Sequence, residues 1–275
     1  MRSRYIKICI LLLCLPSTVL MASNFAVLAN YERSYSFQMQ YGILGQKLYV
    51  SVQPSLYRYY NNMNHVVYSD FDYQHFVTPE TVRPIAEAIH GATKNLPNNN
   101  EQFADAVLTF VHQIPYVVSG IKYPVETIVN NSGDCVGLSI LAASIMKAGG
   151  LDVVLVRYEG IEPGHVNIGV YLPYTPAYHT LLMTPSGLSY DNKTYWTAEA
   201  TAKTDWKVGD QSESLANAQA IIIPLDSCEK MSPGEVSSSL DNSLLNSSLS
   251  INLSQVSSMV EQDMRCLLIS GSIQA

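Results

Sequence analysis

Ser132-Gly133-Asp134-Cys135-Val136-Gly137-Leu138-Ser139-Ile140-Leu141-Ala142-Ala143-Ser144-Ile145 is the stretch on which the reading of this chain turns. A polar approach gives way to apolar residues at helical spacing: Leu138, Leu141, Ala142 and Ile145 recur at i, i+3, i+4 and i+7. Gly149-Gly150 ends the pattern as a glycine C-cap does. Cys135 therefore falls in the first turn of a predicted helix. Backbone N–H groups there lack intrahelical partners and carry partial positive charge. A thiolate in that place is stabilised, which draws a free thiol's pKa of about 8.5 toward 3.5–7.5. The same N–H groups can receive the oxygen of a tetrahedral intermediate. An inert structural cysteine belongs in apolar surroundings, and Ser-Gly-Asp is not that.

Working outward, residues 151–158 are β-branched and apolar and read as a buried strand; 165–172, 195–201 and 220–225 read as three more. On the other side lie two helices. One starts at Thr78-Pro79-Glu80 and keeps Ile85, Ala88, Ile89 and Ala92 on one face. The other carries Phe103, Ala106, Val107 and Phe110 and ends by Ile114-Pro115. Earlier still, Tyr35, Phe37, Met39 and Tyr41 alternate, as do Leu48, Val50 and Val52. Gly42 and Gly45 lie between them, which predicts a β-hairpin, and Pro54-Ser55 then opens a short helix. Helices first and an antiparallel run of strands afterwards make the expected class α+β.

Two later residues complete a chemistry with Cys135. His165 opens a strand after Glu162-Pro163-Gly164, and Glu199 alternates with Tyr195, Thr197 and Thr201 on the less apolar face of its strand. An imidazole takes the thiol proton and returns it to a leaving amine, while a carboxylate fixes the ring's tautomer and orientation. Asp191 and Asp205 are rival carboxylates. Gln113, at the end of the second helix, is the candidate side-chain oxyanion donor. His65, His75, His90, His112 and His179 have no paired ligand spacing, so neither metal nor cofactor is expected.

These residues also carry a family resemblance. Tyr123-Pro124-Val125-Glu126-Thr127, Gly133-Asp134-Cys135, Gly164-His165-Val166-Asn167-Ile168-Gly169-Val170 and Tyr195-Trp196-Thr197-Ala198-Glu199-Ala200-Thr201, followed by Trp206-Lys207-Val208-Gly209, resemble the motifs of prokaryotic transglutaminase-like domains over roughly residues 76–225. The resemblance implies a papain-like fold, in which a helix bearing Cys packs on an antiparallel sheet bearing His and the acid. It implies acyl transfer through a thioester, with Cys135 as nucleophile, His165 as base and acid, and Glu199 as orienting carboxylate. The family's third residue is most often Asp, so Glu199 adds a methylene to the reach. No calcium-loop spacing of Asp and Asn with a terminal Glu is present, which disfavours calcium-dependent cross-linking.

Composition sets the outer limits. The 275 residues are 47% hydrophobic and 14% charged, too apolar for a disordered chain. Sixteen basic residues against 23 acidic ones exclude a strongly basic nucleic-acid binder. Arg2, Arg4 and Lys7 precede an apolar run, and no further charge comes before Glu32; residues 1–29 are expected to be an export signal or an uncleaved anchor. Its loss would leave 13 basic residues against 23 acidic, a net −10, with three cysteines, of which Cys228 and Cys266 are a candidate pair. Asn130, Asn192, Asn246 and Asn252 begin glycosylation sequons. Residues 232–258 contain 11 Ser, and residues 229–275 are expected to be a tail or stalk. The expected division is 1–29 export segment, 30–75 hairpin and short helix, 76–228 catalytic domain and 229–275 tail. The expected protein is a secreted or cell-surface hydrolase or acyltransferase with a peptide or protein substrate, touching a membrane only through an uncleaved anchor. The rival class is a binding domain that has kept the fold without the chemistry.

Overall fold

The structure is a computed structural model describing residues 29–38, 45–178, 184–202 and 206–241. Residues 1–28 of the expected export segment, Asp205, His179 and Cys266 lie outside them, as do the sequons at Asn246 and Asn252. No helix among the described residues is long and apolar enough to cross a membrane.

The chain opens with β1 (Tyr31–Gln38) and β2 (Gly45–Val52), an antiparallel hairpin in register from Tyr31 opposite Val52 to Gln38 opposite Gly45. Then come α1 (Pro54–Asn61), a 3-10 segment at Asp70–Phe76, α2 (Pro79–Thr93), α3 (Asn99–Val111), α4 (Pro124–Asn130) and α5 (Cys135–Ala148). The second half holds β3 (Val153–Glu159), β4 (His165–Tyr171), β5 (Gly187–Tyr190), β6 (Lys193–Ala198), α6 (Glu213–Ala216), β7 (Gln219–Pro224) and β8 (Ser237–Asp241). Five strands form one antiparallel sheet in the order β5-β6-β4-β3-β7, and β1-β2-β8 form another. The helices pack against both, with α5 on β3 and β4 and with α2, α3 and α4 reaching the smaller sheet. The class is α+β.

α5 is the hub. Its sequence is apolar nearly all round because α2, α3, α4 and the larger sheet surround it; Leu138, Ile140, Leu141, Ala143 and Ile145 are all buried. Truncating a side chain such as Leu141 to alanine would cost about 2–5 kcal/mol. At its end, a Cβ on Gly149 would lie 2.3 Å from the Phe103 ring, so only glycine lets α5 and α3 come this close. β3 shows why 151–158 lacks alternation. Val153 and Leu155 enter the main core, while Val154, Val156 and Tyr158 point to a second one with Tyr195 and Leu215. A strand covered on both faces reads as a continuous apolar run.

The Ser-rich segment departs from expectation at its start. Residues 229–241 are packed onto the body and not set apart as a tail. The Glu229 N–H donates to the Val77 carbonyl at 3.0 Å and the Val236 N–H to the Thr81 carbonyl at 3.0 Å. Val236 is 2% exposed, and β8 pairs with β2 from Lys47 opposite Asp241 to Ser51 opposite Ser237. A serine-rich strand serves there because β8 is an edge whose outer face meets solvent.

Candidate active site

The helix start at Cys135 is built from neighbours on both sides. Asp134 is the N-cap, in extended conformation, and its Oδ1 accepts the Gly137 N–H at 3.0 Å; such a cap is worth about 1 kcal/mol. Its Oδ2 accepts the Ser119 N–H at 3.3 Å. The stretch before Ser119 is fastened too. The Val117 N–H donates to the Gly133 carbonyl at 2.9 Å, and the Gly133 N–H donates to the Pro115 carbonyl at 3.3 Å, so Tyr116 runs alongside Gly133. Cys135 is buried, at 8% exposure, and its thiol is free.

The sheet brings the partners. Ser139, one turn into α5, donates its hydroxyl to the Val166 carbonyl at 3.0 Å. That bond fixes the first residues of β4 against the helix and sets His165 beside Cys135. The register of β4 on β6 puts Ile168 opposite Ala198, so the chain leaves β6 at Glu199 on the His165 side. His165 Nε2 stands 2.7 Å from Glu199 Oε2, and the Cys135 thiol is near enough to help raise the pKa of the ring. The imidazole thus neighbours both thiol and carboxylate. The additional methylene of Glu is accommodated, since the carboxylate closes on the ring at normal hydrogen-bonding distance.

Electrostatics follow from the contacts. Burial disfavours a charged His165, but Cys135 and Glu199 outweigh it and raise the imidazole to about 9. Burial would push the Glu199 carboxyl up; the His165 contact and charge, followed by the Thr201 hydroxyl and N–H, hold it below the usual range. Thr201 supplies both of those bonds to Glu199 Oε1, at 2.6 Å from Oγ1 and 2.9 Å from N. His112 Nε2 lies 2.7 Å from the Glu199 carbonyl oxygen, gripping the same residue by its backbone. The side chains of His165 and Glu199 are 18% and 5% exposed, so the pair is shielded but reachable.

Of the other candidates read from the sequence, Gln113 borders the cleft beside His165 and Asp191 stands elsewhere. The Gln113 amide is committed to a fastening: its Nε2 donates to the Ser36 carbonyl at 2.8 Å and the Thr109 carbonyl at 2.9 Å, while its Oε1 accepts the Ser36 N–H at 2.8 Å. Both amide hydrogens have carbonyl acceptors, and the residue clips β1 to the end of α3. Asp191 occupies the turn between β5 and β6, beyond the Tyr190–Lys193 pair, at the far end of the sheet from His165. Among the described residues no group of three His, Cys, Asp or Glu is placed to hold a metal.

Sequence reading passed over Tyr116, which lies beside Cys135; burial foremost, then the charges of Cys135 and Asp134, raise this phenol above its ordinary value. The signal was its place one residue after Pro115, where the chain leaves a helix end. It also passed over Ser139, which lay in plain view at one helical turn from Cys135.

A cleft of about 600 Å³ opens on this constellation, bordered by His112, Ile114, Tyr116, Leu138, His165 and Ala202. No protein-family model matches the chain, and no curated protein does. Among solved structures, Legionella pneumophila LapG aligns over 54% of this chain and 82% of its own, at 14% identity and a TM-score of 0.33. A Cytophaga hutchinsonii protein provisionally described as a cysteine protease aligns over 76% of this chain and 73% of its own, at 12% identity and a TM-score of 0.33.

Proposed function

We propose that this chain is a transglutaminase-like cysteine hydrolase or acyltransferase, exported from the cytoplasm, which acts on peptide or protein amide bonds through a thioester. The observation that carries this reading is His165 held between the Cys135 thiol and the Glu199 carboxylate at a helix start. Sulfur attacks the amide carbon with its proton already on His165, whose ring stays charged up to about 9. The C–S bond forms and the carbonyl electrons move onto oxygen, against the Cys135 N–H and the Tyr116 hydroxyl. On collapse the C–N bond breaks, and His165 returns its proton to the leaving amine. Water or a second amine then attacks the thioester, releasing an acid or a new amide and restoring the thiol. Glu199 keeps the ring in the tautomer with N–H toward itself and stabilises its cation.

The pH dependence has a defined sign. His165 stays charged up to about 9, so the proton owed to the leaving amine is lost as pH rises through about 9, and turnover falls on that side. The test is alkylation of the purified chain at pH 6 and pH 8, with the Cys135→Ala variant as control. Alkylation of Cys135 well above the free-thiol rate at pH 6 is expected. A rate no faster than glutathione, or amide cleavage surviving in Cys135→Ala, would sink the reading. Ammonia release measured against incorporation of a primary amine separates hydrolysis from transfer.

A further inference from the structure

We propose that the cleft beside His165 is an amine-side specificity pocket which takes an apolar side chain, borne on the residue that follows the scissile amide. The inference rests on the acyl-transfer reading and adds a substrate class to it. His165 lines the cleft and also delivers the proton that departs with the amine, so whatever is attached to that nitrogen is handed to this space. Tyr116, against the nucleophile, forms the near wall. Ile114 and Pro115 continue that wall, and Ala200 and Ala202 border the cleft with Leu138. At about 600 Å³ it holds a side chain as large as Leu or Phe together with adjoining backbone.

The charge pattern sets the preference. Among the described residues its lining holds no Asp, Glu, Lys or Arg; His112, Gln113, His165 and Thr201 are its polar members beside Tyr116, in a chain with net charge −7. The contrast lies in another cleft of about 520 Å³, where α2 begins and α5 ends, bordered by Glu80, Arg83, Lys147, Glu229 and Lys230. A cationic leaving residue entering the His165 cleft would lose water and gain no counter-charge, which costs free energy. An alkyl or aromatic one gains free energy as its apolar surface leaves water.

Chloroacetamides of the form ClCH2–CO–NH–R read the pocket directly. Sulfur displaces chloride from the methylene, and the C–S bond forms as C–Cl breaks, the thiol proton being held on His165. R then occupies the place of the group on the leaving nitrogen. With the full-length protein and R as isopentyl, phenethyl, 2-carboxyethyl or 2-aminoethyl, each rate is normalised to that of glutathione. The two apolar reagents are expected to inactivate at least about tenfold faster than the aminoethyl one. Ala202→Asp is expected to shift the aminoethyl-to-isopentyl ratio at least about tenfold toward aminoethyl. Val118→Asp, on a residue 82% exposed outside the cleft, is expected to leave that ratio unchanged. Equal normalised rates for all four reagents, with Cys135 still faster than glutathione, would overturn the pocket and leave the thiol chemistry standing. So would a shift from Val118→Asp as large as that from Ala202→Asp. Cys135 no faster than glutathione with every reagent would overturn the pocket and the acyl-transfer reading together.

Discussion

Glu199 and Asp105 are both carboxylates sunk in the body of the protein, at 4% exposure each, and they fare in opposite ways. Glu199 meets an imidazole, a hydroxyl and an N–H, and its carboxyl is held below the ordinary range despite burial. Asp105, on α3, accepts only the Val208 N–H at 2.9 Å with Oδ1, and its Oδ2 is buried without a hydrogen-bond partner. Burial therefore dominates and pushes it up to about 7. Val208 and Lys207 pull it down, and the charges of Glu101 and Asp210 push it further up. The difference teaches that depth does not set the charge of a carboxylate here; the donors that surround it do.

The largest effect that sharpens this comparison is Glu199→Gln. It keeps the shape and removes the charge, and amide turnover is expected to fall about 10³–10⁴-fold. The alkaline limb of the rate profile should move below its wild-type position near 9, because His165 loses its anion. A wild-type rate in Glu199→Gln would dissolve the contrast between the two carboxylates.

Next comes Asp105→Asn. Its folded pKa stands above the ordinary 3.8, so the folded state binds the proton more tightly. Stability from this group is present below about 4 and is lost as pH rises to about 7, on the order of 4 kcal/mol. The amide keeps an oxygen for Val208 and carries no charge. The variant should therefore be more stable than wild type at pH 8 and close to it at pH 4 in urea unfolding. An unchanged pH slope would mean that Asp105 is ionised in the fold after all.

The smallest expected effect comes from Thr201→Val, which removes one of the two donors to Glu199 Oε1 and keeps the N–H. One hydrogen bond to a charged group is worth about 1.5–3 kcal/mol, so a drop of about tenfold in kcat is expected with stability little changed. No kinetic change would leave the Glu199 charge to His165 and the Thr201 N–H.

What was legible in the sequence was what local physics dictates. Cys135 at a helix start, His165 at a strand start and Glu199 at a strand end each follow from a period and a break within about ten residues. β3 was legible as a buried strand because both faces are covered. What escaped depends on partners far along the chain. Tyr116 reaches Cys135 only because its stretch pairs beside Gly133. Gln113 looked like a free donor at a helix end until β1 arrived to occupy its amide. α4 and β5 are seven and four residues long, too short to show a period. β8 is serine-rich and has no strand signature of its own; it is a strand because β2 offers it an edge.

That last pairing has a temporal consequence. The hairpin at the start of the chain gains its third strand from residues 237–241, so the contacts that complete the smaller sheet span nearly two hundred residues of sequence, from Ser51 to Ser237 at the nearest. Such high contact order slows folding. During synthesis, which proceeds from the N-terminus, the first element made is the last to be finished. Until β8 emerges, the β2 edge stands open, and an exposed edge pairs with whatever strand it meets.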